Sequence, residues 1–277
     1  MAAEDSRAVP APEALATGLC DGCIHAAGLL PRGGCRPGDT CIRAHSGRQI
    51  DRFLRLHRDE AEHYLGDLFW ERRAIAARYA PVERIGALMH DPDEVVRRVV
   101  AERIPVEQLL GMVRDPDREV RLSVAARLPA TDLGALLKDP DYLIRVTLAR
   151  RLPHGQLARL ARDPEREVRK AVAQRLPPFA LYTLADDAEA EIRAIVAARG
   201  LPETAADLLQ DPEWWVRLAA VHNAPPETLP PLLDDPEAEV REAVRHRLRD
   251  PGHNSAGMPP HAIPSPHSTQ STSKDGS

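Results

Sequence analysis

The chain has 277 residues, 43% of them hydrophobic and 29% charged, a globular balance that excludes a mainly disordered protein. Its formal net charge of −5 excludes a polycation that binds nucleic acid along its whole length. Only 4% of residues are aromatic, so a core has to come from Leu, Val, Ile and Ala, which suits thin layers of helices.

Residues 1–17 are acidic and rich in Ala and Pro, and are expected to be disordered. They lack the basic start and apolar stretch of a signal peptide, and no run of about 18 apolar residues follows. A cytoplasmic protein without a membrane span is the expectation.

Residues 18–46 hold all the cysteines, spaced Cys20-x₂-Cys23-x₁₁-Cys35-x₅-Cys41. One local cluster in a reducing compartment reads as metal ligands rather than disulfides. The loop between them is rich in turn formers: Gly28, Pro31, Gly33, Gly34, Pro37 and Gly38. Four thiolates suit either a tetrahedral zinc or a [4Fe–4S] cluster, and the spacing leaves both open. His25 and His45 lie nearby and read as solvent-facing or supporting groups rather than ligands.

Residues 47–66 are predicted to form a linking helix that caps the repeats and docks the cysteine module. Ser46-x-x-Gln49 has the form of a capping box. Ile50, Phe53, Leu54, His57, Ala61, Tyr64 and Leu65 fall on one helical face.

Residues 67–249 repeat with a period of 24. Asp-Pro recurs at Asp91, Asp115, Asp139, Asp163, Asp211 and Asp235, with Asp187-Ala188 filling the gap. Five and six residues after each Asp stand Val96-Arg97, Val120-Arg121, Ile144-Arg145, Val168-Arg169, Ile192-Arg193, Val216-Arg217 and Val240-Arg241. A degenerate eighth unit begins at Asp67, with Arg72-Arg73 in place of the pair.

Asp reads as the helix N-cap and the following Pro as the first helical residue. Glu94, Glu119, Glu167, Glu191 and Glu239 then face the positive end of the helix dipole. Apolar residues at +5, +9 and +13, such as Val120, Val124 and Leu128, make one helical stripe. Arg at +12 (Arg103, Arg127, Arg151, Arg175, Arg199) belongs to the last turn, and Pro at +14 stops the helix. Leucines at +18 and +21, as in Leu133 and Leu136, fit a short second helix, possible as 3₁₀.

The arginines at +6 and +12 form two ladders. They suit either a phosphate-binding surface or pairing with Asp and Glu of neighbouring repeats, and the shared period of the acids favours pairing, worth only about 0–1 kcal/mol each if exposed. Trp214 and Trp215, with Tyr142 and Leu143 at the same places in another repeat, put apolar side chains where the pattern expects polar ones. They are candidate partner-binding anchors, or cover for the irregular unit 187–210, where Gly200 and Pro202 shift the pattern. Residues 250–277, rich in Ser, Pro and His, are expected to be disordered, with His253, His261 and His267 as weak metal binders.

The D-P-x-x-x-V-R segment looks like part of a HEAT repeat, but HEAT units are longer. The 24-residue period with L-P-x-x-x-L-x-x-L after the helix resembles the leucine-rich repeat variant family. That resemblance, over residues 18–249, implies an all-α, right-handed superhelical solenoid of alternating α- and 3₁₀-helices. It also implies an N-terminal [4Fe–4S] module, with Cys20, Cys23, Cys35 and Cys41 as ligands. Members of the family are associated with nitrogen-fixation genes in some bacteria. The expected function is a scaffold for a partner protein, with a redox- or oxygen-responsive cluster. Electron transfer, a zinc-stabilised scaffold and nucleic-acid binding through the arginine ladders are the alternatives. No phosphate loop, H-E-x-x-H or nucleophile elbow suggests an enzyme.

Overall fold

The structure, a computed structural model, describes residues 18–249. The segments expected to be disordered, 1–17 and 250–277 with His253, His261 and His267, lie outside the described residues. The chain divides into two compact units after Ala135. Among the described residues there is no strand, only an isolated antiparallel bridge between Arg36 and Thr40. No helix there is long and apolar enough to cross a membrane.

The first unit carries α1 (Gly47–Leu56), α2 (Trp70–Tyr79), α3 (Glu94–Ala101) and α4 (Arg118–Arg127). The second carries α5 (Tyr142–Arg151), α6 (His154–Leu157), α7 (Arg166–Ala173), α8 (Ala190–Arg199), α9 (Pro202–Asp207), α10 (Trp214–Asn223) and α11 (Ala238–Arg249). Short 3₁₀-helices such as Val106–Met112 and Pro178–Leu184 alternate with the long ones. The stripe at +5, +9 and +13 is buried, as Val168, Val172 and Leu176 illustrate, and so are the 3₁₀ leucines Leu157, Leu160, Leu181 and Leu184.

The repeat Asp does not cap its helix. Each long repeat helix starts three residues after it, and the N-cap is the residue at +2. Asp93 accepts the Val95 N–H at 3.0 Å, Asp117 the Glu119 and Val120 N–H groups, and Asp141 the Leu143 N–H at 2.8 Å. Where Glu165, Glu189 and Glu213 stand at the same position, no side-chain cap bond forms. Pro at +1 therefore lies in the turn before the cap rather than at the first helical position.

The freed Asp stitches consecutive repeats together. Asp91 Oδ1 accepts the Asp93 N–H at 2.9 Å, which fixes the turn. Both its oxygens accept the guanidinium of Arg73, from +6 of the unit before, at 2.8 Å each. Arg97–Asp115 repeats this in the first unit. Arg145–Asp163, Arg169–Asp187, Arg193–Asp211 and Arg217–Asp235 repeat it in the second. In all six pairs the Asp side chain is only 3–5% exposed and the Arg side chain 10–14%. The pairs are thus buried, not exposed as the pattern suggested. The same guanidinium also closes its own turn, since Arg97 Nη1 donates to the carbonyls of Asp91 and Pro92.

The ladder at +12 pairs with carbonyls instead of acids. Arg127 Nη1 donates to Ala101 O at 2.7 Å, and Arg175 Nη1 to Ala149 O and Leu152 O at 2.8 and 2.9 Å. Each thereby satisfies carbonyls left open where the preceding repeat's helix ends. Asn223 does the same with a shorter side chain, donating to Ala197 O at 3.0 Å and Gly200 O at 2.9 Å.

The ion pairs set an acid limit. Burial pulls Asp91 upward, but the Arg73 bonds and the Asp93 N–H outweigh it and hold the carboxyl below its ordinary value. The Arg217 bond lowers Asp235 likewise. A carboxyl depressed in the folded state contributes stability above its unfolded pKa and loses it as pH falls through the folded value. The melting temperature is therefore expected to stay level through neutral pH and to drop below about pH 4. A melting curve against pH checks this.

Gly200 accounts for the irregular unit. It stands at +13, where Leu128 and Leu176 stand elsewhere, and its N–H donates to Val196 O at 2.7 Å. A methyl group there would meet that same carbonyl oxygen at 2.7 Å. Gly200→Ala is expected to cost about 1–3 kcal/mol. Gly155→Ala, where a methyl group meets only open space, is expected to gain about 0.4–1 kcal/mol. Denaturant melts of the two variants should move in opposite directions.

Candidate metal centre

The cysteine module is built from tight turns. Gly22, between the first two cysteines, has φ +67°, a left-handed conformation that lets the Cys23 N–H reach Cys20 O at 3.1 Å. Gly38, at φ +83°, turns the chain between Arg36 and Thr40, whose backbones bond at 2.8 and 2.9 Å. These turns bring Cys20, Cys23, Cys35 and Cys41 onto one cavity, with Leu19, Ile42 and Phe53 as apolar lining. None of the four forms a disulfide; Cys41 is buried and the other three are half-buried.

The donor set fits a cationic centre. Burial, then the Cys41 and Cys23 thiols, push Cys20 above its ordinary pKa. Burial, then the same two thiols and Cys20, push Cys35 up. Thiols held this close resist ionising together, and bound metal reverses that balance. The four thiols line one cavity, so the residues present fit a thiolate-held metal centre.

The module is tied to the helices behind it. Ser46 is the N-cap of α1 but makes no side-chain bond, so the expected capping box does not form. Gln49 turns outward instead and donates Nε2 to Gly38 O at 2.5 Å. The linking helix is also shorter than the predicted 47–66. It ends at Leu56, and a 3₁₀-helix, Arg58–Tyr64, follows. His57 breaks it, with Nε2 donating to Gly34 O at 2.6 Å in the cysteine loop.

His25 is buried, not solvent-facing. Its Nε2 shares a 2.7 Å hydrogen bond with Tyr64 Oη, and its ring lies 5.0 Å from that of Phe53. Burial lowers its pKa, which favours the neutral ring. His45 is exposed and meets Phe69 edge-on at 5.8 Å. The spacing of cysteines did not point to Gln49, His57, Tyr64 or Arg72. For Arg72 a signal existed, since it interrupts the aliphatic series at +5.

The four partner-binding candidates do not form one exposed patch. Trp215 is 8% exposed and packs into the repeat core, because helix position +4 faces inward there. Trp214 and Leu143 are half-buried, and Tyr142 alone is exposed. More exposed are Phe179 and Tyr182, on the 3₁₀-helix Pro178–Leu184, at 67% and 65%. The sequence pattern did not single these out.

Comparison with known proteins follows the same division of the chain. Residues 18–63 match the family described as LRV protein FeS4 cluster. Residues 70–93, 166–189 and 214–237 match the leucine rich repeat variant, each beginning at the first residue of a long helix. An uncharacterized 27.7 kDa protein in the nifB 3′ region of Rhodobacter capsulatus is 38% identical over 69 residues. That match spans 25% of this chain and 28% of the relative's length. A solved structure, described as a leucine-rich repeat variant with a novel repetitive protein structural motif, is 51% identical. It aligns with a TM-score of 0.75 over 83% of this chain and 98% of its own. The chain is an iron–sulfur repeat protein and belongs to the leucine-rich repeat variant family.

Proposed function

We propose that the chain is a scaffold for a protein partner, whose repeats do the binding and whose N-terminal module holds a [4Fe–4S] cluster on Cys20, Cys23, Cys35 and Cys41. The cluster supplies one-electron and oxygen-sensitive chemistry when bound. The observation that carries the reading is the single cavity lined by all four thiols, in a module hydrogen-bonded to the helix behind it. A change of cluster state then alters how the module docks, and with it the surface offered to a partner. The +6 arginines, committed to buried carboxylates, support partner recognition by shape rather than a basic nucleic-acid face. The reading assigns no catalytic step to the chain.

The test is affinity capture with cluster-intact, oxidised and iron-free protein. The same partner should be retained to different extents by the three forms. Equal capture by all three removes the responsive role and leaves the scaffold.

Electron transfer is the second reading, favoured by the partial exposure of Cys20, Cys23 and Cys35. It expects a reversible one-electron couple, and voltammetry without one rejects it.

A further inference from the structure

The first repeat departs from the others at one buried position. At +5 the later repeats carry Val96, Val120, Ile144, Val168, Ile192, Val216 and Val240, all essentially inaccessible. The first carries Arg72, only 8% exposed. A buried cation in an aliphatic position is costly unless it is paired and hydrogen-bonded. Arg72 is both. Its Nη1 donates to the two Asp67 oxygens at 2.8 and 2.7 Å, and its Nε to the Ile42 carbonyl at 2.7 Å. The guanidinium also lies 5.6 Å from the Phe69 ring centre.

The pairing follows from the ladder. Asp67 holds the position whose carboxylate, in Asp91 and Asp115, takes a guanidinium from the repeat before. Among the described residues the first repeat has no such neighbour. Arg72, from its own helix, supplies the missing charge, and its second donor reaches the residue next to Cys41. An aliphatic side chain would leave Asp67 without that cation and Ile42 O without that donor.

We propose that Arg72 is a positioning residue that makes filling of the cysteine site and docking of the module on the first repeat mutually dependent. The inference rests on the cluster reading above. Arg72 holds the backbone beside Cys41 in the conformation that presents the thiol, so it slows release of the centre. By linkage, the filled site stabilises the helix that carries Arg72. Arg72→Leu restores the side-chain type of the other repeats but orphans Asp67, so a role confined to repeat packing predicts a loss of stability without any dependence of the helix on iron.

The experiment uses full-length protein purified without oxygen. It follows iron release to a ferrous chelator and amide hydrogen exchange of Trp70–Tyr79 before and after iron removal. Wild type is expected to lose protection across this helix when iron is removed. Arg72→Leu is expected to release iron at least about tenfold faster, the scale of a lost charge-assisted bond. Its helix should then exchange at a rate independent of iron. Arg72→Lys keeps the charge without the forked geometry and is expected to fall between.

Release within twofold of wild type in both variants overturns the inference. So does a wild-type helix whose exchange ignores iron, a comparison that stands even if Arg72→Leu fails to fold. Wild-type protein without iron and sulfide removes the cluster reading and this inference together. Iron-loaded protein without the coupling removes the inference alone.

Discussion

Replacing Arg145 with methionine is expected to destabilise the second unit by about 3–5 kcal/mol, as measured by denaturant unfolding. The Asp163 side chain it would abandon is 4% exposed. Asp163 accepts two charge-assisted bonds from Arg145, at 2.7 and 3.0 Å, and one from the Glu165 N–H at 2.9 Å. Without the guanidinium, a carboxylate remains in a site with little water to solvate it. It has to stay charged and poorly paired or take up a proton, and both are costly. The carbonyls of Asp139 and Pro140 lose a donor in the same substitution. The double variant Arg145→Met with Asp163→Leu is expected to recover much of the loss, because it removes the orphaned charge as well. A single-variant loss below about 1 kcal/mol would place the pair with ordinary surface ion pairs. The ladder would then not be what joins the repeats.

Cys41→Ser is expected to abolish the metal centre and to unfold residues 18–46 locally, while the repeats keep their helical content. The buried apolar side chains of this segment reduce to Cys41, Ile42 and Ala44. So small a core cannot offset the chain entropy of ordering the module. Its order has to come from the metal and from the bonds that Gln49, His57 and Arg72 make to its backbone. Iron and sulfide analysis, with hydrogen exchange over 18–46, checks this. A variant with full iron content and unchanged protection would remove Cys41 from the ligand set.

The repeat was legible because a 24-residue period displays the same apolar stripe again and again. Val120, Val124 and Leu128 are buried as the helical spacing required. The cysteine cavity was legible for a simpler reason, since the sequence holds no other cysteines. One misassigned element was the repeat Asp. Locally an Asp-Pro pair fits a helix cap, but its carboxylate is claimed by an Arg 18 residues earlier. That spacing recurs in the sequence, from Arg73 to Asp91 and from Arg97 to Asp115, so the signal was present but not local. His57 ended the linking helix through a bond to Gly34, a tertiary contact that helical periodicity cannot register. Trp215 looked like an exposed anchor because position +4 is usually polar, yet it is buried here.

On the reading proposed above, four thiols in the N-terminal module hold one iron–sulfur cluster. The most direct measurement is metal and sulfide analysis, with Mössbauer spectroscopy, of protein purified without oxygen. The protein is expected to be brown, with about four iron and four acid-labile sulfide per chain in the spectroscopic environment of a [4Fe–4S] centre. Both are expected to be lost when Cys20, Cys23, Cys35 and Cys41 are replaced by serine. A colourless protein with one zinc per chain and neither iron nor sulfide would contradict that reading.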